Sequence, residues 1–319
     1  MLKKHFLIIS LIILNYFHCF SWGFFAHQLI NQLAVFSLPP EMISFYKSNI
    51  DYIQIHAVDP DKRRLFVKKE ESYHFIDVDE YDTTFLNQNM TWNNALNIYG
   101  EEKLLAHGIV PWRILQVKWQ LTNAFRDKDS KQILKLSADL GHYIADANVP
   151  LHTTKNYNGQ LTNQNGIHAL WESRLPELFC QDYNLFVGKA IYIESGLNET
   201  WKAIHTAHQL VDSVLLLEKI VTEKMTLDKK YTFEEKNAQL VKVYSFLFCE
   251  KYHQILQNQI EEQMRASIRM VASFWYSCWI DAGQPDLSSF DKEILISINN
   301  QEEKELNDST KITNLRIEE

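Results

Sequence analysis

The chain has 319 residues, of which 46% are hydrophobic and 23% are charged, and its formal net charge is −8 at pH 7. This length and apolar content suffice for one large domain or two small ones, and they exclude collagen-like, repetitive and low-complexity classes. The negative charge also disfavours nucleic-acid binding, unless metal ions or a local basic strip offset the repulsion.

The first 21 residues, MLKKHFLIISLIILNYFHCFS, are typical of a secretory signal peptide. A basic start precedes an apolar run, and Cys19 and Ser21 are small residues that suit cleavage after Ser21. A membrane anchor is the alternative interpretation, but the apolar run is shorter than the ~20 residues that span a bilayer. We therefore expect a secreted or periplasmic protein whose mature chain begins at Trp22.

Helical periodicity dominates the rest of the chain, which is poor in glycine and proline. Proline marks several helix ends: Pro39 and Pro40 stop the first predicted helix, Pro111 opens the second, and Pro150 ends the third. The predicted helices cover residues 26–38, 108–127, 130–148, 198–225 and 232–283, the last as one or two long helices.

Strand patterns are nearly absent, and residues 72–81, SYHFIDVDEY, form the only segment that looks extended. The polar and charged composition near the C-terminus predicts a frayed tail over residues 286–319. We therefore predict an all-α fold, with one multi-helical domain over residues 22–285. Because the sequence has no glycine-rich phosphate loop and no G-x-S-x-G motif, its histidines and acids must supply any chemistry.

Five potential metal ligands lie close together, and four of them form pairs with helical spacing. His142 and Asp146 are four residues apart, as are His168 and Glu172, so each pair lies on one helix face. One such pair arises by chance and is usually a simple polar pair, but two pairs with His152 between them are harder to dismiss. Apolar neighbours predict that these helices are buried, where histidines and acids need partners such as a metal.

The second pair gains a third ligand from the turn after Pro150, which brings His152 toward it. His152, His168 and Glu172 form a set of two imidazoles and one carboxylate that leaves a coordination position for water. This is the composition of a catalytic zinc site, whereas structural zinc sites are usually closed and rich in thiolates.

The first pair has candidate partners upstream and at the N-terminus. Asp59 or Asp61, together with His74, can complete a site around His142 and Asp146. If Trp22 is the first mature residue, its amine and carbonyl can chelate an ion, and His27 can reach the same ion. The amine binds metal only when neutral, which its reference pKa near ~7.7–8.0 permits.

Taken together, these residues resemble the ligand set of the zinc-dependent phospholipases C and the single-strand-specific nucleases. Members of this superfamily are secreted, all-helical and built on three clustered zinc ions. The resemblance runs in order through Trp22, His27, Asp59, His74, His142, Asp146, His152, His168 and Glu172. It assigns one zinc to Asp59, His74, His142 and Asp146, a second to His152, His168 and Glu172, and a third to Trp22, His27 and Asp146. Asp59 is preferred to Asp61 because its spacing to His74 matches that of the nucleases.

The resemblance implies hydrolysis of a phosphodiester. Zinc lowers the pKa of water toward ~7, so that hydroxide is available at neutral pH. The resemblance gives Asp59 the role of orienting or deprotonating this water.

Signals for the two subfamilies conflict. Phe75 and Asp77 resemble nuclease residues that stack on a base and bind its edge, and the short gap from Trp22 to His27 is also nuclease-like. Glu172 as the last ligand is typical of the phospholipases. We favour a phospholipase-C-like enzyme, with a zinc-dependent single-strand-specific endonuclease or 3'-nucleotidase as the first alternative and a non-catalytic metal-binding helical protein as the second.

The expected partner is a phosphodiester substrate, either a phospholipid head group or single-stranded nucleic acid. The sequence indicates no stable protein partner. Transient contact with a membrane surface is expected if the substrate is a phospholipid. The aromatic residues at 274–280 are interpreted as core rather than as a lipid-facing patch. Cys180, Cys249 and Cys278 are interpreted as small buried residues rather than a disulfide scaffold.

Overall fold

The computed structural model describes residues 23–82, 85, 89–236 and 239–288. The predicted signal peptide, Trp22 and the predicted tail beyond residue 288 lie outside the described residues. The helices are α1 (Phe24–Val35), α2 (Pro40–Ser48), α3 (Ile50–Ile55), α4 (Asp59–Arg63), α5 (Trp92–Tyr99), α6 (Glu101–Ala106), α7 (Val110–Asp127), α8 (Ser130–Asp146), α9 (Ile167–Ala169), α10 (Leu175–Phe179), α11 (Gly196–His208), α12 (Val211–Glu223), α13 (Leu227–Lys230), α14 (Phe246–Leu256) and α15 (Gln259–Asp281). This architecture confirms the all-α prediction.

The ends of the central helices follow their local chemistry. Pro111 lies in the first turn of α7, where its missing N–H would have no helical partner in any case. At the start of α8, the side chain of Asp129 accepts a hydrogen bond from the backbone N–H of Gln132 at 3.1 Å. Pro150 then opens a short 3₁₀ turn just after α8 ends. The predicted boundaries of these two helices are therefore confirmed to within a few residues.

One secondary-structure prediction is wrong, because residues 231–236 and 239–244 form two paired β-strands instead of the start of a long helix. β1 (Tyr231–Lys236) pairs with β2 (Gln239–Tyr244) in antiparallel register, with Tyr231 opposite Tyr244. The signal was a short alternation of β-branched and aromatic residues in both strands. The helical periodicity of the much longer following segment masked that alternation.

Two further segments differ in detail from the prediction. The predicted helix over residues 198–225 is two helices, α11 and α12, which are separated near Gln209. Residues 72–81 do not form a strand, because 3₁₀ turns at Glu71–Tyr73 and Val78–Glu80 flank a short extended piece. His74, which follows the first of these turns and has right-handed helical backbone angles, is buried in the protein interior.

The core is built around α15, which packs against α1, α7 and α8. Phe274, Trp275 and Cys278 are fully buried, which confirms that this aromatic cluster is core. The indole N–H of Trp275 donates to the carbonyl of Ser137 on α8 at 3.0 Å. All three cysteines in the described residues are free thiols, and Cys249 and Cys278 are buried as predicted, but Cys180 is only partly buried. None of the helices in the described ranges is long and apolar enough to cross a membrane.

A glycine allows α8 to approach α1 closely. A Cβ atom added at Gly141 would lie 2.0 Å from the side-chain oxygen of Asn31. The amide group of Asn31 donates to the carbonyl of Ala138 at 3.1 Å, which fastens α1 to α8. His27 lies one turn before Asn31, and His142 follows Gly141. Their imidazole rings therefore stack, with centroids 3.9 Å apart.

Candidate metal centre

The first ligand group brings together His74, His142 and Asp146, which are all buried. α8 supplies His142 and Asp146 one turn apart, and the turn at Glu71–Tyr73 delivers His74 from a distant part of the chain. Oδ2 of Asp146 lies 2.9 Å from Nδ1 of His74 and 3.2 Å from Nε2 of His142. The two histidine nitrogens are 3.0 Å apart. The three donor atoms thus converge on one point.

Asp61, and not Asp59, lies beside this group. Oδ1 of Asp61 is 3.7 Å from Nδ1 of His74 and 3.8 Å from Nε2 of His142. The carboxylate of Asp59 instead pairs with His56 and Lys62, at 2.5 and 2.8 Å. The structure therefore does not support the sequence-based preference for Asp59 as a ligand or as the residue that orients water. Asp61 is the acid that lies where either role would require one.

The physical reason is the helical position of the two acids. Residues two apart on an α-helix point roughly 200° apart around the axis, because each residue turns about 100°. When α4 packs on α8, only one of the two acids can face the histidines. That acid is Asp61, which is buried, whereas the Asp59 side chain is 24% exposed.

The second ligand group consists of His152, His168 and Glu172, as the sequence predicted. Nε2 of His168 lies 2.9 Å from Oε2 of Glu172 and 3.0 Å from Nε2 of His152. Nε2 of His152 is 3.3 Å from the same carboxylate oxygen. All three side chains are buried, and their donor atoms again converge on one point.

Glu172 lies in a π-helical turn, Leu170–Arg174, between α9 and α10. The cause is Pro176, which lacks the N–H that would donate to the carbonyl of Glu172 in an α-helix. Its ring would also clash with that carbonyl, and a wider turn removes the clash. His168 and Glu172 remain on one face across this turn.

His27 approaches the first group through the other oxygen of Asp146. Its Nε2 lies 3.4 Å from Oδ1 of Asp146, whereas Oδ2 of Asp146 faces His74 and His142. One carboxylate therefore faces ligands on two sides, as a bridging ligand does. The N-terminal partner expected from the sequence, Trp22, lies outside the described residues. Gly23 packs against Ser173, where an added Cβ would be 2.4 Å from the hydroxyl oxygen.

Backbone carbonyls fix the orientation of two ligand rings. Nδ1 of His142 donates to the carbonyl of Ala57 at 2.9 Å. Nδ1 of His152 donates to the carbonyl of His74 at 2.7 Å. In each ring the proton on Nδ1 leaves Nε2 with a lone pair directed at the ligand group, which is the tautomer that binds a metal.

The two groups fit zinc by two independent criteria. Zinc bonds of 2.0–2.1 Å at tetrahedral angles put ligand atoms about 3.3 Å apart, close to the separations of 2.9–3.3 Å within each group. In addition, both ring nitrogens of His27 and both carboxylate oxygens of Asp61 and Glu172 are buried without a hydrogen-bond partner in the described residues. Each such atom costs about 1–3 kcal/mol unless something compensates it, and a cation would.

The electrostatics also favour a bound cation. Burial raises the pKa of Glu172 to about 8 and that of Asp61 to about 7. Burial lowers the pKa of His27 to about 3 and that of His168 to about 4. Burial also opposes protonation of His142, but the Asp146 and Asp61 carboxylates outweigh it and raise the pKa to about 9. Without a cation, the buried acids therefore compete for protons near neutral pH.

The two substrate residues expected from the nuclease resemblance lie beside the second group but not in it. The backbone N–H of Ile76 donates to the carbonyl of His152 at 2.9 Å, which holds the flanking Phe75 and Asp77 nearby. The carboxylate of Asp77 pairs with Nδ1 of His107 at 3.3 Å, and burial raises its pKa to about 6. Phe75 is half-buried.

Sequence reasoning did not single out a buried network behind the first group. Glu70 lies 3.8 Å from Nε2 of His74, one helical turn away in the sequence. The hydroxyl of Tyr143 donates to Glu70, and Arg63 pairs with both Glu70 and Asp139, at 3.4 and 3.0 Å. The available signal was the i,i+4 spacing of Glu70 and His74.

The family comparison agrees with a zinc centre. The sequence profile of the family described as zinc dependent phospholipase C matches residues 24–234. The chain is similar to the structure of alpha toxin from Clostridium absonum, at 13% identity and a TM-score of 0.47, over 84% of this chain and 66% of the toxin. It is also similar to alpha-toxin from an avian strain of Clostridium perfringens, at 14% identity and a TM-score of 0.47, over 85% of this chain and 66% of that one. The chain thus spans just under two thirds of each toxin. Among curated proteins, none matches.

Proposed function

Because the chain belongs to the zinc-dependent phospholipase C family, we propose that it hydrolyses the phosphodiester bond of phospholipids at its two buried ligand groups. The observation that carries this proposal is the group of His152, His168 and Glu172. Two neutral imidazoles and one carboxylate leave a position for water or a phosphoryl oxygen. Structural zinc sites are usually closed and rich in thiolates, so a purely structural role is disfavoured.

We propose three zinc ions per chain, held by the residues that converge in the two groups and by the N-terminus. The first would be held by Asp61, His74, His142 and Asp146, the second by His152, His168 and Glu172, and the third by His27, Asp146 and the amine and carbonyl of Trp22. One ligand of the third ion, Trp22, lies outside the described residues. The third ion can be tested directly by changing the start of the mature chain.

When bound, zinc supplies Lewis acidity, which lowers the pKa of water and polarises phosphoryl oxygens. The residues of this chain supply the geometry. The carbonyls of Ala57 and His74 hold the His142 and His152 rings in the tautomer that presents Nε2. Asp146, whose two oxygens face different ligands, would be shared between two ions. Because Asp61 is buried and has no hydrogen bond in the described residues, it is free to bind an ion and accept a proton from water.

The proposed function is tested by a parallel assay of the zinc-loaded mature protein on phosphatidylcholine vesicles and on single-stranded DNA. We expect release of diacylglycerol that EDTA abolishes, and no comparable digestion of DNA. The Glu172→Ala variant should lose turnover, and the His205→Ala variant, on α11 and outside both groups, should keep it.

Other outcomes distinguish the alternatives. Digestion of DNA without release of diacylglycerol would favour the nuclease. Zinc binding without turnover of either substrate, or of bis(4-nitrophenyl) phosphate, would favour a non-catalytic metal-binding protein.

We also propose that the protein is exported, and that removal of residues 1–21 exposes the amine of Trp22. The support is the basic start, apolar run and small residues of this segment. Expression of the whole chain in a bacterial host, followed by N-terminal sequencing of the periplasmic fraction, tests this proposal. Retention of the first 21 residues, or recovery only from the cytoplasm, would contradict it.

A further inference from the structure

The chain between His152 and His168 forms a compact loop that is closed by its own side chains. The side-chain oxygen of Asn158 accepts a hydrogen bond from the backbone N–H of Gly166 at 3.0 Å. Further hydrogen bonds within the loop link its first half to its second. Because a loop of this kind is packed by its own side chains, its attachment to the rest of the protein fixes where the chain reaches His168.

The side chain of Gln164 attaches this loop to α12. It is buried, and its Nε2 group donates to the carbonyl of Leu215 at 2.7 Å and to Oε2 of Glu218 at 2.5 Å. The backbone carbonyl of Gln164 accepts a hydrogen bond from the N–H of Ile167 at 3.1 Å, at the start of α9. One residue therefore joins α12 to the helical turn that carries His168.

Glu218 is itself held by a second buried charge, that of Lys230. Nζ of Lys230 donates to Oε1 of Glu218 at 2.7 Å and to the hydroxyl of Thr222 at 2.8 Å. Three aromatic rings, with centroids 5.1–5.6 Å from Nζ, lie around this ammonium group: Tyr231, Tyr244 and Phe248. Apolar residues can often replace a buried ion pair without loss of stability. The pair therefore calls for a role other than stability alone.

The far end of the same segment is also attached to this part of the chain. Arg174, two residues after Glu172, forms two hydrogen bonds to the carboxylate of Glu234 on β1, one of them at 3.1 Å. The Glu234 side chain is 36% exposed, whereas that of Glu218 is fully buried. Exposed ion pairs constrain a structure weakly, so the attachment through Gln164 is the stronger of the two.

We propose that Gln164 is a positioning residue for the second ligand group, and that the Lys230–Glu218 pair fixes its side chain. His152 enters this group from the turn after α8, whereas the other two members enter it from the segment that is attached to α12. The donor separations of 2.9–3.3 Å in the group therefore depend on how these two parts are placed. This inference rests on the proposed zinc-dependent function, and it extends the metal centre to residues beyond its ligands.

The test compares two variants of the attachment with two controls. Gln164→Leu removes both N–H donors at nearly the same side-chain volume, and Glu218→Gln removes the charge that holds Gln164. The first control is Thr91→Ala, which removes the N-terminal cap of α5 and lowers stability at a site outside the attachment. The second is Glu223→Gln, which removes an exposed acid from α12 itself.

Zinc affinity and stoichiometry are measured by competition with a chelator, and the Tm of the zinc-free protein by thermal unfolding. We expect Gln164→Leu and Glu218→Gln each to weaken the binding of one zinc ion per chain by roughly 10- to 100-fold, as do other changes to groups that orient metal ligands. The affinity for the remaining ions should not change. Thr91→Ala should lower only the Tm, and Glu223→Gln should change neither quantity.

A double variant identifies the ion that is affected. Glu172→Ala already removes a ligand of the second group, so adding Gln164→Leu to it should cause little further loss of zinc affinity. Full additivity of the two losses would overturn the inference, because Gln164 would then act on a different ion.

The remaining outcomes separate positioning from folding. A lower Tm with zinc affinities equal to those of the wild type would overturn the inference, since Gln164 and Glu218 would then only stabilise the fold. Failure of either variant to fold in excess zinc would assign that residue to folding and overturn the inference for it. Selective loss of one ion in a protein that does not hydrolyse bis(4-nitrophenyl) phosphate would support the inference and contradict the proposed function.

Discussion

Asp59 and Asp61 show how two identical side chains on one helix acquire opposite roles. Asp59 is partly buried, and although burial opposes it, pairing with His56 and Lys62 lowers the pKa of its carboxyl group. Burial raises the pKa of Asp61 to about 7, and within the described residues its carboxylate has no hydrogen bond to compensate for the loss of water. Only Asp61 therefore gains from binding a cation.

This contrast predicts different effects of the same substitution. Asp61→Asn should remove about one zinc ion per chain and lower kcat/KM by roughly 100-fold or more, as loss of a metal ligand does. Asp59→Asn should keep the zinc content of the wild type, because its partners lie outside the ligand group. Elemental analysis and steady-state kinetics of the two variants test this prediction. The reverse order of effects would restore Asp59 as the ligand.

The N-terminal residue gives a second prediction at this scale. Extra residues before Trp22 convert its amine to an amide, which binds zinc poorly, so His27 and Asp146 would hold the third ion alone. We expect less bound zinc and strongly reduced activity, both restored when a protease trims the extension. The same preparation is measured before and after trimming, with equal total zinc. Identical zinc content and activity in the two forms would exclude Trp22 as a ligand.

At the scale of elements, the buried network of Arg63, Glu70, Asp139 and Tyr143 ties together the segments that carry the first ligand group. Arg63 belongs to α4, the same helix as Asp61, and Asp139 and Tyr143 belong to α8. Glu70 precedes His74 on the third segment. The network therefore holds three segments in register before any ion binds.

We expect Glu70→Gln to weaken zinc binding about 10- to 100-fold, as is usual for partners of metal-bound histidines. The Glu70 carboxylate, 3.8 Å from Nε2 of His74, accepts hydrogen bonds from Tyr143 and Arg63 that hold its segment against α8, and the neutral amide should hold the segment less well. Competition with a chelator measures the affinity, and circular dichroism checks the fold. Glu71→Gln, at an exposed neighbouring position, is the matched control. Equal affinities for both variants would limit Glu70 to packing.

At the scale of the whole molecule, the buried ligands couple stability to pH. In zinc-free protein, burial raises the folded-state pKa of Glu172 to about 8, above the usual value of 4.5. The pKa of His142 is likewise raised, from 6.5 to about 9. A group whose pKa is raised by folding contributes its full share to the free energy of unfolding below its unfolded-state pKa. That contribution is lost as pH rises through the folded-state pKa. The lowered pKa of His168 changes the stability of the protein only between about pH 4 and pH 6.5.

Between pH 6.5 and 8, zinc-free protein should therefore become less stable as pH rises. Zinc binds the deprotonated ligands, so its stabilising effect should grow over the same interval. Thermal unfolding in EDTA and in zinc measures the difference, and each kcal/mol corresponds to about 2–4 °C for a domain of this size. A difference in Tm that stays constant or shrinks from pH 6.5 to 8 would contradict the assignment of these groups as ligands.

The sequence by itself determined the features that depend on neighbours along the chain. His168 and Glu172 are four residues apart on one helical stretch, and the turn at Pro150 comes just before His152, so the second ligand group was predictable. The ends of α7 and α8 were predictable because proline chemistry acts within one turn. The all-α fold followed from the same local periodicity.

Only the tertiary structure decided the features that depend on which surfaces meet. The packing of α4 on α8 selected Asp61 over Asp59 as the acid that faces the histidines. The β1–β2 pair was also decided by pairing between strands, because two short strands compete poorly with a helical pattern in the sequence. Spacing and propensity act over a few residues, whereas burial and charge pairing depend on contacts between segments that are distant in the chain.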